Sequence, residues 1–110
     1  MPQYSLDVFT VKHAVIDNAT SGDNTIVAAV PGKKIVVLQL LLISAGTMTV
    51  RFESGASGTA LTGQMSVQDS TGFRLEFSPI GHFETSVGTL LNLELSAATS
   101  ADGYLKYIEV

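Results

Sequence analysis

Residues 34–44, KIVVLQLLLIS, are aliphatic at almost every position and have the length of a long β-strand. Because successive side chains of a strand point to opposite sides, this segment presents apolar side chains on both faces. Regular alternation predicts one face made of Val36, Leu38, Leu40 and Leu42, and another made of Ile35, Val37, Leu41 and Ile43 with Gln39. A strand of a lone antiparallel sandwich buries one face only, and a large apolar patch marks an interaction surface. We therefore expect a second copy of the chain, or a partner, to cover the other face.

Composition favours one folded domain over residues 1–110 and excludes several functional classes. The chain is 45% hydrophobic and only 15% charged, which disfavours disorder. Its net charge of -4 and scattered basic residues argue against nucleic acid as a partner. The absence of cysteine excludes disulfides and thiolate metal sites. The apolar run is shorter than the roughly 20 residues of a membrane span, and the start lacks secretory features, so we expect a protein made in the cytoplasm without a membrane partner.

Period-two alternation recurs along the rest of the chain, and no segment has a sustained helical period. The alternating runs lie at residues 47–53, 64–68, 73–77, 91–96 and 104–108. Clusters of Gly, Pro, Asp, Asn and Ser between them predict turns, including residues 21–24, 69–72 and 102–103. Roughly eight strands at this spacing predict an all-β fold, a single antiparallel sandwich or a barrel.

The N-terminal segment, residues 1–17, has a less regular pattern. Tyr4, Leu6 and Val8 share one parity, and Phe9, Val11, His13 and Val15 share the other. Such a switch indicates a bulge, a bend or an arm that leaves the sandwich. The segment is therefore either an edge strand or an arm that pairs with a neighbouring subunit.

The sequence offers little support for catalysis, so we do not expect an enzyme. His82 has Ser78 and Glu84 nearby, but no glycine pattern of a nucleophile elbow surrounds any serine. We interpret His82 as a residue that anchors a loop, and His13 as a half-buried or surface residue of a strand. No catalytic residue is predicted.

Metal and ligand sites are also weakly indicated, and we expect no cofactor and no metal. Oxygen donors in residues 17–24 would suit calcium, but turn formation explains the same residues. Two strands carry charged pairs, Arg51 with Glu53 and Arg74 with Glu76, which would pair across the strands if these were neighbours. For stacking on sugar rings the available platforms are Tyr4, Tyr104 and Tyr107.

Three segments resemble a known class of protein. Residues 81–99, GHFETSVGTLLNLELSAAT, and residues 103–110, GYLKYIEV, resemble the ending of small bacteriophage virion proteins of the head decoration or cement type. Residues 30–35, VPGKKI, resemble the segment that leads into the long apolar strand of such proteins. The resemblance implies a jelly-roll-like sandwich on the capsid surface of a virion, made in the host cytoplasm and often trimeric.

These observations predict a bacteriophage structural protein that decorates or cements the capsid by bridging capsid subunits non-covalently. Its partners would be further copies of itself, with a homotrimer favoured, and the major capsid protein. The candidate subunit-interface residues are Leu38, Leu40, Leu41, Leu42 and Ile43, and the candidate capsid-contact residues are Tyr4, Leu6, Val8 and Phe9. The alternative is a receptor- or carbohydrate-binding module of a phage tail appendage.

Overall fold

The computed structural model describes residues 8–110, which form two antiparallel sheets packed face to face and contain no helix. This all-β sandwich confirms the predicted fold class. Among these residues, none lies in a helix with the length and apolar character that a membrane span requires. The strands are β1 (Lys12–Asn18), β2 (Gly22–Val27), β3 (Ile35–Ser44), β4 (Met48–Ser54), β5 (Thr59–Ala60), β6 (Met65–Val67), β7 (Thr71–Leu75), β8 (Phe83–Glu84), β9 (Leu91–Leu95) and β10 (Ala101–Glu109).

The strands pair in a nested order. Sheet A runs β1-β10-β3-β7, with β8 also paired to β3, and sheet B runs β2-β9-β4-β5, with β6 also paired to β4. The first strand therefore pairs with the last, and the second pairs with the last but one. This is the order of a jelly roll, in which a long folded hairpin is wrapped into two sheets. Because β5 and β6 share one position, and β7 and β8 share another, the described strands fill the eight expected positions.

A β-bulge interrupts the long apolar strand. On one side of it Gln39 lies opposite Lys106, and on the other side Val37 lies opposite Tyr107, so Leu38 is an additional residue of β3. An additional residue in one strand shifts the alternation of the side chains beyond it. The bulge therefore changes which residues of β3 face the interior of the sandwich.

The side chains of β3 divide accordingly into two groups. The main core between the sheets takes Ile35, Val37, Leu40 and Leu42, whereas a second cluster takes Val36 and Leu38. The prediction that the even-numbered residues 36–42 share one face is therefore wrong. Regular alternation fails here because the sequence alone does not reveal the bulge.

The second cluster lies on the outer face of sheet A and is covered by the chain itself. Val36, Leu38 and Ile108 are fully buried, and Phe9 and Val110 pack against them. One end of the second apolar face of β3 is thus covered without any partner.

Two segments predicted as turns are strands. Residues 22–24 begin β2, where the buried side chain of Asn24 donates to the carbonyl oxygen of Thr20 at 2.8 Å and to that of Leu93 at 3.3 Å. Residues 102–103 lie inside β10. A Cβ atom on Gly103 would lie 1.9 Å from the carbonyl oxygen of Leu41. Glycine is therefore needed at this position, because β10 and β3 approach each other too closely for a side chain.

We expect Gly103→Ala to destabilise the fold by about 3 kcal/mol, because the added methyl group would overlap the backbone of β3. Gly63→Ala is the matched control, since a Cβ atom at that position has no neighbour within 4 Å. It should change the free energy of unfolding by less than about 0.5 kcal/mol. Chemical denaturation measures both variants. Equal stabilities of the two would contradict the close approach of β10 to β3.

Candidate functional site

A strip of apolar side chains crosses the outer face of sheet A at the end away from the second cluster. Val15 on β1 lies opposite Tyr104 on β10, and Tyr104 lies opposite Leu41 on β3. Ile43 follows two residues after Leu41 and therefore shares its face. Val15 is 66% exposed and Ile43 is 40% exposed, while Leu41 and Tyr104 are half-buried. We call these four residues the outer strip.

Polar groups frame the outer strip and differ in charge at its two ends. Asp17 and Asp102, which lie opposite each other, form the end next to Ile43. Lys106 lies at the other end, opposite His13, whose ring stacks on that of Tyr104 with centroids 5.4 Å apart. The surface is therefore apolar in the middle, acidic at one end and basic at the other.

Of the five candidate subunit-interface residues, three are buried within the chain and two lie at the surface. Leu40 and Leu42 are buried in the main core, and Leu38 is buried in the second cluster. Leu41 and Ile43 belong to the outer strip. The accessible part of β3 is thus smaller than the sequence suggested, and it is continuous with Val15 and Tyr104 of neighbouring strands.

The candidate capsid-contact residues lie in the N-terminal segment. Tyr4 and Leu6 are outside the described residues. Val8 is 74% exposed, whereas Phe9 packs against the second cluster. Within the described part of this segment, Val8 is therefore the more accessible of the two candidates.

An ion pair fastens β1 to β10 close to this segment. The ammonium group of Lys12 donates a hydrogen bond to the carboxylate of Glu109. That hydrogen bond, followed by the charge of Glu109, raises the pKa of Lys12 above its usual value of 10.5. Because the pKa is raised, the stabilisation is complete below the usual value and is lost as the pH rises through the raised one. At neutral pH the pair joins the start of β1 to the end of β10.

His82 has the contact expected of a residue that anchors a loop. Its Nε2 atom lies 2.7 Å from the carbonyl oxygen of Glu76, so the ring joins the two ends of the loop between β7 and β8. The backbone N–H of His82 donates to the carbonyl oxygen of Val37, which ties the same loop to β3.

The charged pairs on β4 and β7 do not meet, because β4 belongs to sheet B and β7 to sheet A. Pairing across these strands was expected only if they were neighbours, and that condition is not met. Each arginine instead pairs with the glutamate two residues later in the chain, Arg51 with Glu53 inside β4 and Arg74 with Glu76 just after the end of β7. Arg74 and Glu76 are largely exposed, but Glu53 is fully buried.

An apolar crevice opens between the two sheets, at the side where β5 and β6 face β7 and β8. It has a volume of about 300 Å³, and Leu61, Met65, Phe73 and Phe83 line it above the buried ring of Phe52. Sequence reasoning missed this crevice because it depends on which strands become neighbours. Alternation within each strand identifies the lining residues as apolar but does not bring them together.

Only part of the predicted tyrosine set is available for stacking. Tyr107 packs against the main core, and Tyr4 lies outside the described residues. Tyr104 remains on the outer face of sheet A.

Comparison of the chain with protein-family models, curated proteins and solved structures finds no match. Proposals about function therefore depend on the surfaces described above and on the resemblance noted in the sequence.

We expect Phe9→Ala to lower the free energy of unfolding by about 1–2 kcal/mol, roughly half the loss for a fully buried phenylalanine. Its ring is half-buried and covers Val36 and Leu38. Val8→Ala, at the neighbouring exposed position, should change stability by less than about 0.5 kcal/mol. Denaturant titration of both variants makes the comparison. An unchanged free energy of unfolding for Phe9→Ala would show that the second cluster does not depend on this residue.

Proposed function

We propose that this protein is a bacteriophage structural protein that decorates or cements the capsid as a closed homo-oligomer. The observation that carries the proposal is the outer strip, a continuous row of accessible apolar side chains on the outer face of sheet A. The resemblance of residues 81–99 and 103–110 to head decoration proteins supplies the biological context. It also implies a trimer, the major capsid protein as partner, and a place on the virion surface.

The outer strip suits contact between copies better than contact with water. Its residues are contiguous across three strands, and contiguous exposed apolar groups are typical of interaction surfaces. Closed rotational symmetry would bury the strip of every copy and leave no open edge from which a fibre could grow. Single apolar residues scattered over the face would not form a continuous surface for another copy to bury.

The charges around the strip favour a defined orientation of the neighbouring copy. In a closed ring, a heterologous contact can place Lys106 of one copy near the acidic end formed by Asp17 and Asp102 of the next copy. Opposite charges at the rim of an interface favour the correct register and the rate of association more than they favour affinity. Association should therefore weaken as the salt concentration rises.

Capsid attachment would use a different surface from self-association. Val8 is exposed beside the anchored Phe9, so the surface at Val8 is available to the capsid while the outer strip is occupied by another copy. An oligomer then presents several such surfaces at once. Linked binding events increase avidity well beyond the affinity of each single contact, and this is how weak contacts would bridge capsid subunits non-covalently.

The double variant Val15→Thr/Ile43→Thr should dissociate the oligomer, because it places hydroxyl groups in the strip while keeping β-branched side chains in the strands. We expect the native mass to fall from about three times the chain mass of 11.6 kDa to that of one chain, with at least a tenfold weaker association. Native mass spectrometry and light scattering at several concentrations measure this change. Val87→Thr is the control, because Val87 is 58% exposed in the loop between β8 and β9.

Two results would contradict the proposal. One is a wild-type protein that stays a single chain at high concentration. The other is the absence of saturable binding to undecorated capsids of the bacteriophage that encodes the protein. Val8→Ala should reduce capsid binding while leaving the native mass unchanged, which separates attachment from self-association.

A second candidate function is carbohydrate binding on a tail appendage. A shallow hollow of about 140 Å³ lies beside Tyr104, and its lining includes Gln39, Arg74 and Glu76. An aromatic ring next to amide, guanidinium and carboxylate groups is a combination that can stack on a sugar and hydrogen-bond its hydroxyl groups. The hollow is small compared with most ligand pockets, so it would hold one sugar ring at most.

If this second function is correct, the protein should bind immobilised glycans, and Arg74→Ala should abolish binding without changing the native mass. Val15→Thr alone is the control, since Val15 does not line the hollow. A glycan array measures binding by the wild type and both variants. An array without signal for the wild type would reject the carbohydrate function and leave the assembly function unaffected.

A further inference from the structure

The strand β1 forms an open edge of sheet A. It pairs with β10 on one side, and none of the described strands pairs with it on the other. Because each residue of a strand directs its backbone N–H and C=O groups to the same side, alternate residues of β1 direct these groups away from β10. Such a row of hydrogen-bonding groups is a template on which a further strand can pair.

The other edge strands have features that discourage pairing, and β1 does not. Among the described strands, β5, β6 and β8 have only two or three residues each. The pairing of β2 is irregular between Thr25 and Val27, and β7 contains Gly72 and the exposed Arg74. Short length, irregular pairing and charged side chains are usual means of protecting a sheet edge. By contrast, β1 has seven residues in unbroken register with β10.

The side chains of β1 also leave its edge open. Lysine commonly guards a sheet edge, but the one lysine of this strand, Lys12, is engaged with Glu109 of β10. The strand contains no proline and no glycine. At its centre lies Val15, which is 66% exposed, and β-branched residues favour strand pairing. The composition of β1 is therefore that of a strand with a neighbour on each side.

The charges of β1 make the strand complementary to itself. His13 and Asp17 flank Val15 at a distance of two residues and therefore share its face of the sheet. If a second copy runs antiparallel with the two Val15 residues opposite each other, each His13 lies opposite Asp17 of the other copy. An imidazole N–H can then donate to a carboxylate, and the valines pack together. Pairing centred on Ala14 would place Val15 opposite His13, and pairing centred on Ile16 would place it opposite Asp17.

We propose that β1 is a self-association edge, at which two copies of the chain pair antiparallel about a two-fold axis at Val15. The axis is perpendicular to the sheet, so the outer faces of both copies lie on the same side. Two five-stranded sheets then become one sheet of ten strands. The contact is isologous, and it therefore closes at two copies and does not generate a fibre.

This contact goes beyond the proposed function, because it uses the backbone of β1, whereas the closed oligomer uses the side chains of the outer strip. It would join a chain of one oligomer to a chain of the next. Seven residues on each side are few compared with the roughly 20–30 of a stable interface, so the free protein should pair only at high concentration. Copies held side by side on a larger surface have a high effective concentration and would pair more readily.

Amide hydrogen exchange, followed by NMR at protein concentrations up to about 1 mM, tests the pairing directly, because linked sites experience effective concentrations of this order. We expect alternate amides of β1, those directed away from β10, to become protected as the concentration rises. The native mass should double over the same range.

The two readouts also separate this contact from the proposed function. Burial of the outer strip alone would not protect alternate backbone amides of β1. Exchange that does not depend on concentration, or a native mass that does not double, would overturn the proposal. A single-chain mass at low concentration, with doubling retained at high concentration, would reject the closed oligomer and leave this contact standing.

Charge variants of β1 test the register. Asp17→Lys should weaken pairing by about tenfold, because both contacts with His13 would lose their carboxylate and gain an ammonium group. Adding His13→Glu should restore pairing, since a glutamate and a lysine would then lie opposite each other. Asp69→Lys makes the same charge change at an exposed position between β6 and β7 and should leave pairing unchanged. Failure of the double variant to pair, or an equal loss with Asp69→Lys, would overturn the proposal.

Discussion

The covering of β3 on both faces is the constraint on which the rest of the structure depends. The bulge at Leu38 divides its outward side chains into two groups with different surroundings. At one end, Phe9 and Val110 cover Val36 and Leu38 within the same chain. At the other end, Leu41 and Ile43 remain at the surface. The chain thus covers part of its apolar excess itself and leaves a smaller, well-defined remainder for contact with other molecules.

Much of the fold follows from the sequence. Period-two patterning and glycine-rich breaks correctly predicted an all-β sandwich, because these signals act within single segments. The bulge, the strand character of residues 22–24 and the position of Gly103 inside β10 were missed. All three depend on a neighbouring strand: the register of β3 shifts between Lys106 and Tyr107 of β10, Leu93 accepts the hydrogen bond of Asn24, and the backbone of Leu41 excludes a side chain at position 103.

Less of the surface chemistry could be predicted. Leu41 and Ile43 were identified from apolar patterning alone, but Val15 and Tyr104 join them only through the pairing of β1 with β10 and β10 with β3. Asp23, Glu53 and Asn92 are far apart in sequence; Glu53 and Asn92 look like ordinary polar positions of strands, and Asp23 belongs to a predicted turn. Only the order β2-β9-β4 brings them together, so that the amide of Asn92 donates to both carboxylates. Strand order is the long-range information that alternation does not contain, so a site built across strands is not apparent from any one of them.

The nested pairing of the strands has a consequence for how the chain is made. Residues 12–18 pair with residues 101–107, so sheet A is incomplete until residues 101–107 have been synthesised. Until then β3 lacks its neighbour β10, and its aliphatic side chains and backbone hydrogen-bonding groups are unprotected. Because sheet A closes late, folding is slow. The sheet is completed after these residues have been translated and not during their synthesis. During that interval the nascent protein would depend on chaperones, or on rapid collapse, to avoid aggregation.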